Sequence, residues 1–203
     1  MPKKPPNDAD NTCPWCLATE LYREYHDTEW GRPCTDSEAL FQLLNLEGAQ
    51  AGLSWITILN KREHYQKVFH QFQPAKVARM SDARIEKLVA DPGIVRHRGK
   101  IESVRSNAQA YLAMADNGED FADFIWSFVD HKVIRNKPQS MADVPSKTDI
   151  SDAMCKSLKK RGFKFVGSTI CYAFMQAAGL VNDHLVACPQ EKACAAEAKG
   201  LFK

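Results

Sequence analysis

Nearly every long window of this chain repeats its apolar residues at three- and four-residue intervals, and none shows the β-branched alternation of a half-buried strand. The period is plainest in DSEALFQLLNLEGAQAG. There Leu40 and Leu44 share a stripe with Glu47, and Asp36 or Ser37 stands at the N-cap position. HYQKVFHQF, DARIEKLVADPG, KIESVRSNAQAYLAMADNG and FADFIWSFVDH continue the helical period, with glycine or proline stops. The fold class that follows is all-α.

At 203 residues, 44% of them apolar and 26% charged, such a chain can bury one sizeable core, or form two small lobes that share one. Its apolar stretches fall far short of a membrane span, and the opening MPKKPPNDADNT lacks the apolar stretch of a secretion signal. The expected setting is the bacterial cytoplasm, with no membrane partner. Seven cysteines, an odd number, point to reduced thiols or metal ligands rather than a disulfide framework. Residues 1–12 read as a disordered leader, residues 13–188 as one domain and residues 189–203 as a weakly ordered, flexible tail. IRNKPQSMADVPSKTD, with two prolines, reads as a long linker before the last helical block. Nothing resembles an oligomerisation helix, so a monomer is expected.

That last block, about residues 149–179, reads as helix, short hairpin FKFV, helix. Gly162 ends the first helix; Gly167 and Ser168 open the second. Glycines let a backbone approach a phosphate closely, and a helix start offers free N–H groups and the positive end of its dipole. Lys156, Lys159, Lys160, Arg161 and Lys164 surround the hairpin, with no acid between Ala153 and Phe174. The net charge of +2 names no partner, but this local patch suits a DNA backbone. A solvated cationic αα-corner is the plainer alternative.

Two groups of metal-type ligands stand near opposite ends of the chain. His184 and Cys188, four apart, would share a face if they lay on a helix. With Cys13 and His26 they make a two-cysteine, two-histidine set suited to tetrahedral zinc with no position left for water, which would tie the beginning of the chain to its end. Cys16 forms a C-x-x-C pair with Cys13, and spacing alone allows it to replace His26 or Cys13.

Trp15, Tyr22, Tyr25 and Trp30 crowd one N-terminal stretch, and Trp55 follows. Such a cluster is core, or a pocket that stacks a flat ring. Glu47 bears on the choice: a carboxylate on an apolar stripe needs a lysine, an arginine or a cationic ligand to meet it.

Taken together, CPWCLATELYREYHDTEWG, LEGAQAGLSWITIL, GIVRHRGKI, KKRGFKFVGSTICY and GLVNDH resemble the bacterial type I 3-methyladenine DNA glycosylases, over about residues 13–188. The resemblance implies a base-excision-repair enzyme of the helix-hairpin-helix superfamily, built only of helices, with a structural zinc. It carries the zinc role onto Cys13, His26, His184 and Cys188. It assigns the base pocket to Glu47, Tyr22 and Tyr25, with Trp15, Trp30 and Trp55 lining it, and it makes alkylated double-stranded DNA the partner.

Chemistry agrees with that assignment. An adenine methylated at N3 is cationic while attached to deoxyribose, so it favours aromatic faces. Glu47 can accept from its exocyclic amine, which guanine's oxygen would not permit. The nucleotide must flip out of the stack, and Leu53, in AGLSW, is the candidate wedge. A cationic base leaves readily without protonation, so no strong general base is required, and no motif places a Schiff-base lysine; a monofunctional enzyme is expected. Asp183 is expected to orient the zinc-bound histidine or cap a helix. Arg96, His97, Arg98 and Lys100 lean to a structural role, pairing with acids such as Asp91. Gly162, Lys164, Gly167 and Ser168 are the backbone-binding candidates. The rival readings are a zinc-stapled DNA-binding module without chemistry and a zinc hydrolase, the latter disfavoured by four protein ligands.

Overall fold

The computed structural model describes residues 11–202, so the expected leader lies, but for its last two residues, outside the described residues. Eleven α-helices form among them: α1 (Glu20–Thr28), α2 (Ser37–Gln50), α3 (Trp55–Leu59), α4 (Arg62–Val68), α5 (Pro74–Val77), α6 (Asp82–Val89), α7 (Arg98–Asp116), α8 (Phe121–Ser127), α9 (Asp149–Lys160), α10 (Ser168–Ala177) and α11 (Pro189–Glu197).

Side chains start these helices where the sequence places capping residues. Asp36 accepts from the Ala39 amide at 2.7 Å at the head of α2, and Thr148 with Ser151 forms a reciprocal capping box on α9. Helix α2 is the centre of the molecule. Its residues Leu40 to Ala49 are buried apart from Gln42 and Leu43, and it packs against α3, α7, α8 and α10. Each fully buried leucine on it contributes about 1.5–3 kcal/mol. Asn45 and Asn107 pair at 2.9 Å between α2 and α7, satisfying polar groups inside this core.

The structure departs from the sequence reading in four places. The FKFV segment forms no strands; residues 161–167 are an irregular connector in which Phe163 and Val166 are buried. One very short sheet does occur: β1 (Ile134–Arg135) pairs in parallel with β2 (Val181–Asn182), so the fold is mostly helical rather than built only of helices. The expected linker is packed, through β1 and a bond from the Val186 amide to the Pro138 carbonyl at 2.9 Å. The expected flexible tail is mostly α11. It buries Glu191 and Cys194, takes Pro189 at its first turn, and is held by Arg135 donating to Glu191 at 2.6 Å.

Gly179 closes α10 at φ +73°, and a Cβ there would come within 2.6 Å of the Arg32 carbonyl oxygen. Gly118, at φ +77°, faces open space. Gly179→Ala is therefore expected to cost about 3 kcal/mol or more, against roughly 1 kcal/mol for Gly118→Ala, as read by urea unfolding.

Candidate functional site

A pocket of about 280 Å³ opens between α1, α2 and α10. Trp15, Tyr22, Tyr25, Trp30, Glu47 and Trp55 all line it, so the structure brings together every residue that the sequence proposed for a ring-binding site. Tyr22 and Tyr25 come from α1, Glu47 from the last turn of α2, and Trp55 from the start of α3. The rings brace one another: Trp15 meets Tyr22 and Trp30 edge-on at 4.9 and 5.0 Å, and Tyr25 leans on Trp55 at 5.5 Å.

Glu47 is 3% exposed, and its Oε2 has no hydrogen-bond partner. Burial pushes its carboxyl up to about 8, with no cationic side chain opposing the shift. The Tyr25 hydroxyl is likewise raised, by burial first and then by the Glu47 charge. The Trp55 indole N–H is a second buried group without a partner. An acceptor and a donor thus stand unmet in an aromatic cleft. The lysine or arginine that could have met Glu47 is not there.

Several lining residues were not singled out from the sequence. The packed linker supplies Met141, Val144, Pro145 and Ser146, and α10 supplies Tyr172 and Gln176. Asp183 also lines the pocket, and here the expectation is corrected: it neither orients His184 nor caps a helix. Tyr172 donates to it at 2.7 Å, Gln176 at 2.8 Å and Asn136 at 2.7 Å. Tyr172 and Gln176, one helical turn apart, were the available signal for a shared polar face.

On the far side of Trp15 and Trp30 lie Cys13, His26, His184 and Cys188, all buried, with one ligand atom from each within 4.8 Å of the others. His184 and Cys188 sit in a turn rather than on a helix, and the turn converges their side chains. His26 Nε2 is 3.1 Å from His184 Nδ1 and 3.6 Å from Cys188 Sγ, and His184 Nδ1 is 3.8 Å from both Cys13 Sγ and Cys188 Sγ. The outer nitrogens are fixed elsewhere: His26 Nδ1 lies 2.7 Å from Asp27 and His184 Nε2 lies 3.1 Å from the Trp30 carbonyl. Both inner nitrogens therefore present lone pairs to the centre of the group, which could hold a metal ion. Cys16 is not among the four; its thiol donates to the Cys13 carbonyl at 3.1 Å.

The DNA-facing candidates lie on two loops. Leu53, 42% exposed, is in the turn between α2 and α3. Gly162, at φ +93°, and the exposed Lys164 belong to the 161–167 connector, whose Gly167 caps α10 with open space where a Cβ would stand. Ser168 begins α10, and its bond to Asp152 holds that carboxyl below the usual carboxylate range. Arg161 is engaged by Glu119 at 2.6 Å and stacks on Phe124, while Lys156, Lys159 and Lys160 are exposed. In the 93–101 segment Arg98 pairs with Glu86 at 2.6 Å, Lys100 is buried, and Asp91 pairs with His64 rather than with a local cation.

This helical chain matches a known class. Residues 15–191 fit the family model described as methyladenine glycosylase, and the chain belongs to that family. It is 58% identical over 176 residues to DNA-3-methyladenine glycosylase 1 of Escherichia coli (strain K12), covering 87% of this chain and 94% of that protein. A crystal structure of a 3-methyladenine DNA glycosylase I superposes with a TM-score of 0.87 at 56% identity, over 88% of this chain and 98% of that one. A variant of 3-methyladenine DNA glycosylase I in complex with 3-methyladenine superposes with a TM-score of 0.86 at 40% identity, over 89% and 97% of the two chains.

Because burial holds the Glu47 proton up to about pH 8 in the folded state, while an unfolded glutamate releases it near 4.5, the contribution of Glu47 to stability is fully present below pH 4.5 and lost as pH rises through 8. Glu47→Gln, which mimics the protonated form, is expected to be more stable than wild type by on the order of a few kcal/mol at pH 9, with the difference shrinking as pH falls. Paired denaturant curves across pH check this.

Proposed function

We propose that this protein is a DNA-3-methyladenine glycosylase that hydrolyses the N-glycosidic bond of 3-methyladenine in alkylated double-stranded DNA without cutting the strand. The observation that carries the reading is the buried, unpartnered Oε2 of Glu47 inside the aromatic pocket. A cationic ring that brings an amine supplies what this group lacks: the positive charge draws the carboxyl to its ionised form, and the amine donates to it. A neutral adenine offers no charge, and a guanine presents an oxygen where Glu47 needs a donor. The bound form named for one of the structural relatives is the same base.

In the reaction the bond between the base nitrogen and C1′ breaks with its electron pair going to the ring, so the cationic base leaves neutral. Water then adds to C1′ and releases a proton. The protein's part is to extrude the nucleotide, hold the base and stabilise the developing sugar cation. Leu53 is the proposed wedge. The α9–connector–α10 unit is the proposed helix-hairpin-helix, with Gly162, Lys164, Gly167 and Ser168 at the phosphate backbone and the exposed lysines adding sequence-independent attraction.

The Cys13, His26, His184 and Cys188 group is the proposed structural zinc site. A tetrahedral zinc with two sulfur and two nitrogen ligands has ligand-to-ligand spacings of about 3.3–3.8 Å; four of the six pairs here lie at 3.1–3.8 Å, and all lie within 4.8 Å. Four protein ligands leave no place for an activated water, so the ion would hold the two ends of the chain together rather than take part in hydrolysis. The pocket's unmet carboxyl is what argues against a DNA-binding module without chemistry.

Free bases released from methylated DNA, separated by chromatography, test the reading. Wild type is expected to free 3-methyladenine and leave 7-methylguanine attached. Glu47→Gln should slow release by about ten- to a hundredfold, the worth of a charge-assisted hydrogen bond. Zinc should be found in stoichiometric amount, and its removal by a chelator should lower the melting temperature; a chelated protein that stays folded but loses activity would instead indicate a catalytic ion.

A further inference from the structure

The two loops proposed to touch DNA are tied to the same helix from beneath. On α7, Lys100 and Asn107 are seven residues apart, two turns along one face and about 10 Å from each other along the axis. Both are buried, Lys100 at 8% exposure and Asn107 at 2%. The Lys100 ammonium donates to the carbonyls of Ala49 at 2.9 Å and Ala51 at 2.6 Å, where α2 ends and the Leu53 turn begins. A cation suits the negative end of a helix dipole, and these carbonyls otherwise lack intrahelical partners. Asn107 grips the other loop: its Oδ1 accepts from the Lys164 amide at 2.8 Å and its Nδ2 donates to the Lys164 carbonyl at 3.2 Å. The connector also rests directly on α2, where a Cβ on Gly48 would lie 3.1 Å from the Phe165 carbonyl oxygen.

Lys100 is unusual in this arrangement. A buried ammonium costs free energy and is ordinarily met by a carboxylate, yet burial lowers the Lys100 ammonium's pKa without an opposing acid. A long aliphatic side chain would fill the same space without that cost. What the ammonium adds is a fixed position for two backbone carbonyls at the root of an exposed turn. Leu53 follows two residues later, with its amide donating to the Gln50 carbonyl at 2.6 Å, so the turn has little freedom once its base is held.

We propose that Lys100 is a positioning residue for base extrusion: by anchoring Ala49 and Ala51 it sets Leu53 at a constant distance from the Asn107-held connector and from Glu47. A wedge acts only while the phosphate backbone is gripped at the matching place, and misplacement of about 1 Å costs on the order of a hundredfold in rate. The inference rests on the reading of Leu53 as the wedge.

The test compares Lys100→Met, Lys100→Arg, Leu53→Ala and wild type in two measurements. One is single-turnover release of 3-methyladenine from methylated duplex DNA; the other is affinity for free 3-methyladenine, followed by quenching of tryptophan fluorescence. The expected result is that Lys100→Met and Leu53→Ala each slow duplex release by about tenfold or more, Lys100→Arg restores most of the rate, and all four bind the free base alike. If Leu53→Ala slows release but Lys100→Met does not, Lys100 positions nothing. If Lys100→Met loses free-base affinity together with release, its role is general structure and the proposal is overturned. If Leu53→Ala excises normally, the wedge reading itself fails and takes this one with it. Should Lys100→Met not fold, Lys100→Gln, which keeps one donor, carries the same comparison.

Discussion

A carboxyl group held inside a protein with one oxygen unpartnered is the constraint around which this fold is arranged. Leaving Glu47 in that state costs a few kcal/mol, a large share of the roughly 5–15 kcal/mol by which a domain of this kind is stable. The cost is tolerated because Glu47 sits on the central helix α2, where Leu40, Phe41, Leu44 and Leu46 are all at most 1% exposed. Their packing holds the carboxyl in place, so the site stands ready before any ligand arrives. In the proposed reading that unmet group is the source of discrimination: a ligand is favoured in proportion to how well it supplies charge and a donor.

The metal-capable cluster and the pocket are two sides of one wall. Tyr22, Tyr25 and His26 all belong to α1, so that helix presents pocket rings and a ligand nitrogen together. Trp15 packs against His26 at 5.2 Å and Trp30 against His184 at 4.6 Å, so both indoles are wedged between the cluster and the cleft. The short β1–β2 pairing and α11 close the same side of the molecule, with Asn182 donating to the Glu191 carbonyl at 2.8 Å. Cys13 and Cys188, far apart in sequence, thus meet behind the pocket, and such long-range packing opposes local opening.

Much of this was legible in the residues. Asp36 or Ser37 marked the head of α2, Gly162 marked the end of α9, and the aromatic crowd with Glu47 marked the pocket. Each rests on local physics: capping, chain reversal at positive φ, and the cost of a carboxyl on an apolar stripe. The misses were of another kind. PQEKACAAEA carries a proline suited to a first helical turn and strong helix formers, but nothing local says that Cys194 and Glu191 are covered. His184 and Cys188 were spaced for a helix and converge from a turn. Asp183 was placed with its neighbour His184, whereas consecutive side chains in extended backbone point to opposite sides, and this one turns into the pocket.

By itself, then, the sequence determined the helical class, the head of α2, the limits of α9 and α10, the set of metal-type ligands and the residues of the pocket, because these follow from periodicity, caps and residue identity within a few turns of chain. Only the tertiary structure decided which acid meets no cation, that Asp183 is satisfied by Tyr172, Gln176 and Asn136, and that Lys100 and Asn107 hold two distant loops from one helix face. Those outcomes depend on which groups are brought within about 3 Å across long stretches of chain. Electrostatic and hydrogen-bond energies turn on that separation and on burial, and neither is encoded in the order of residues along any one segment.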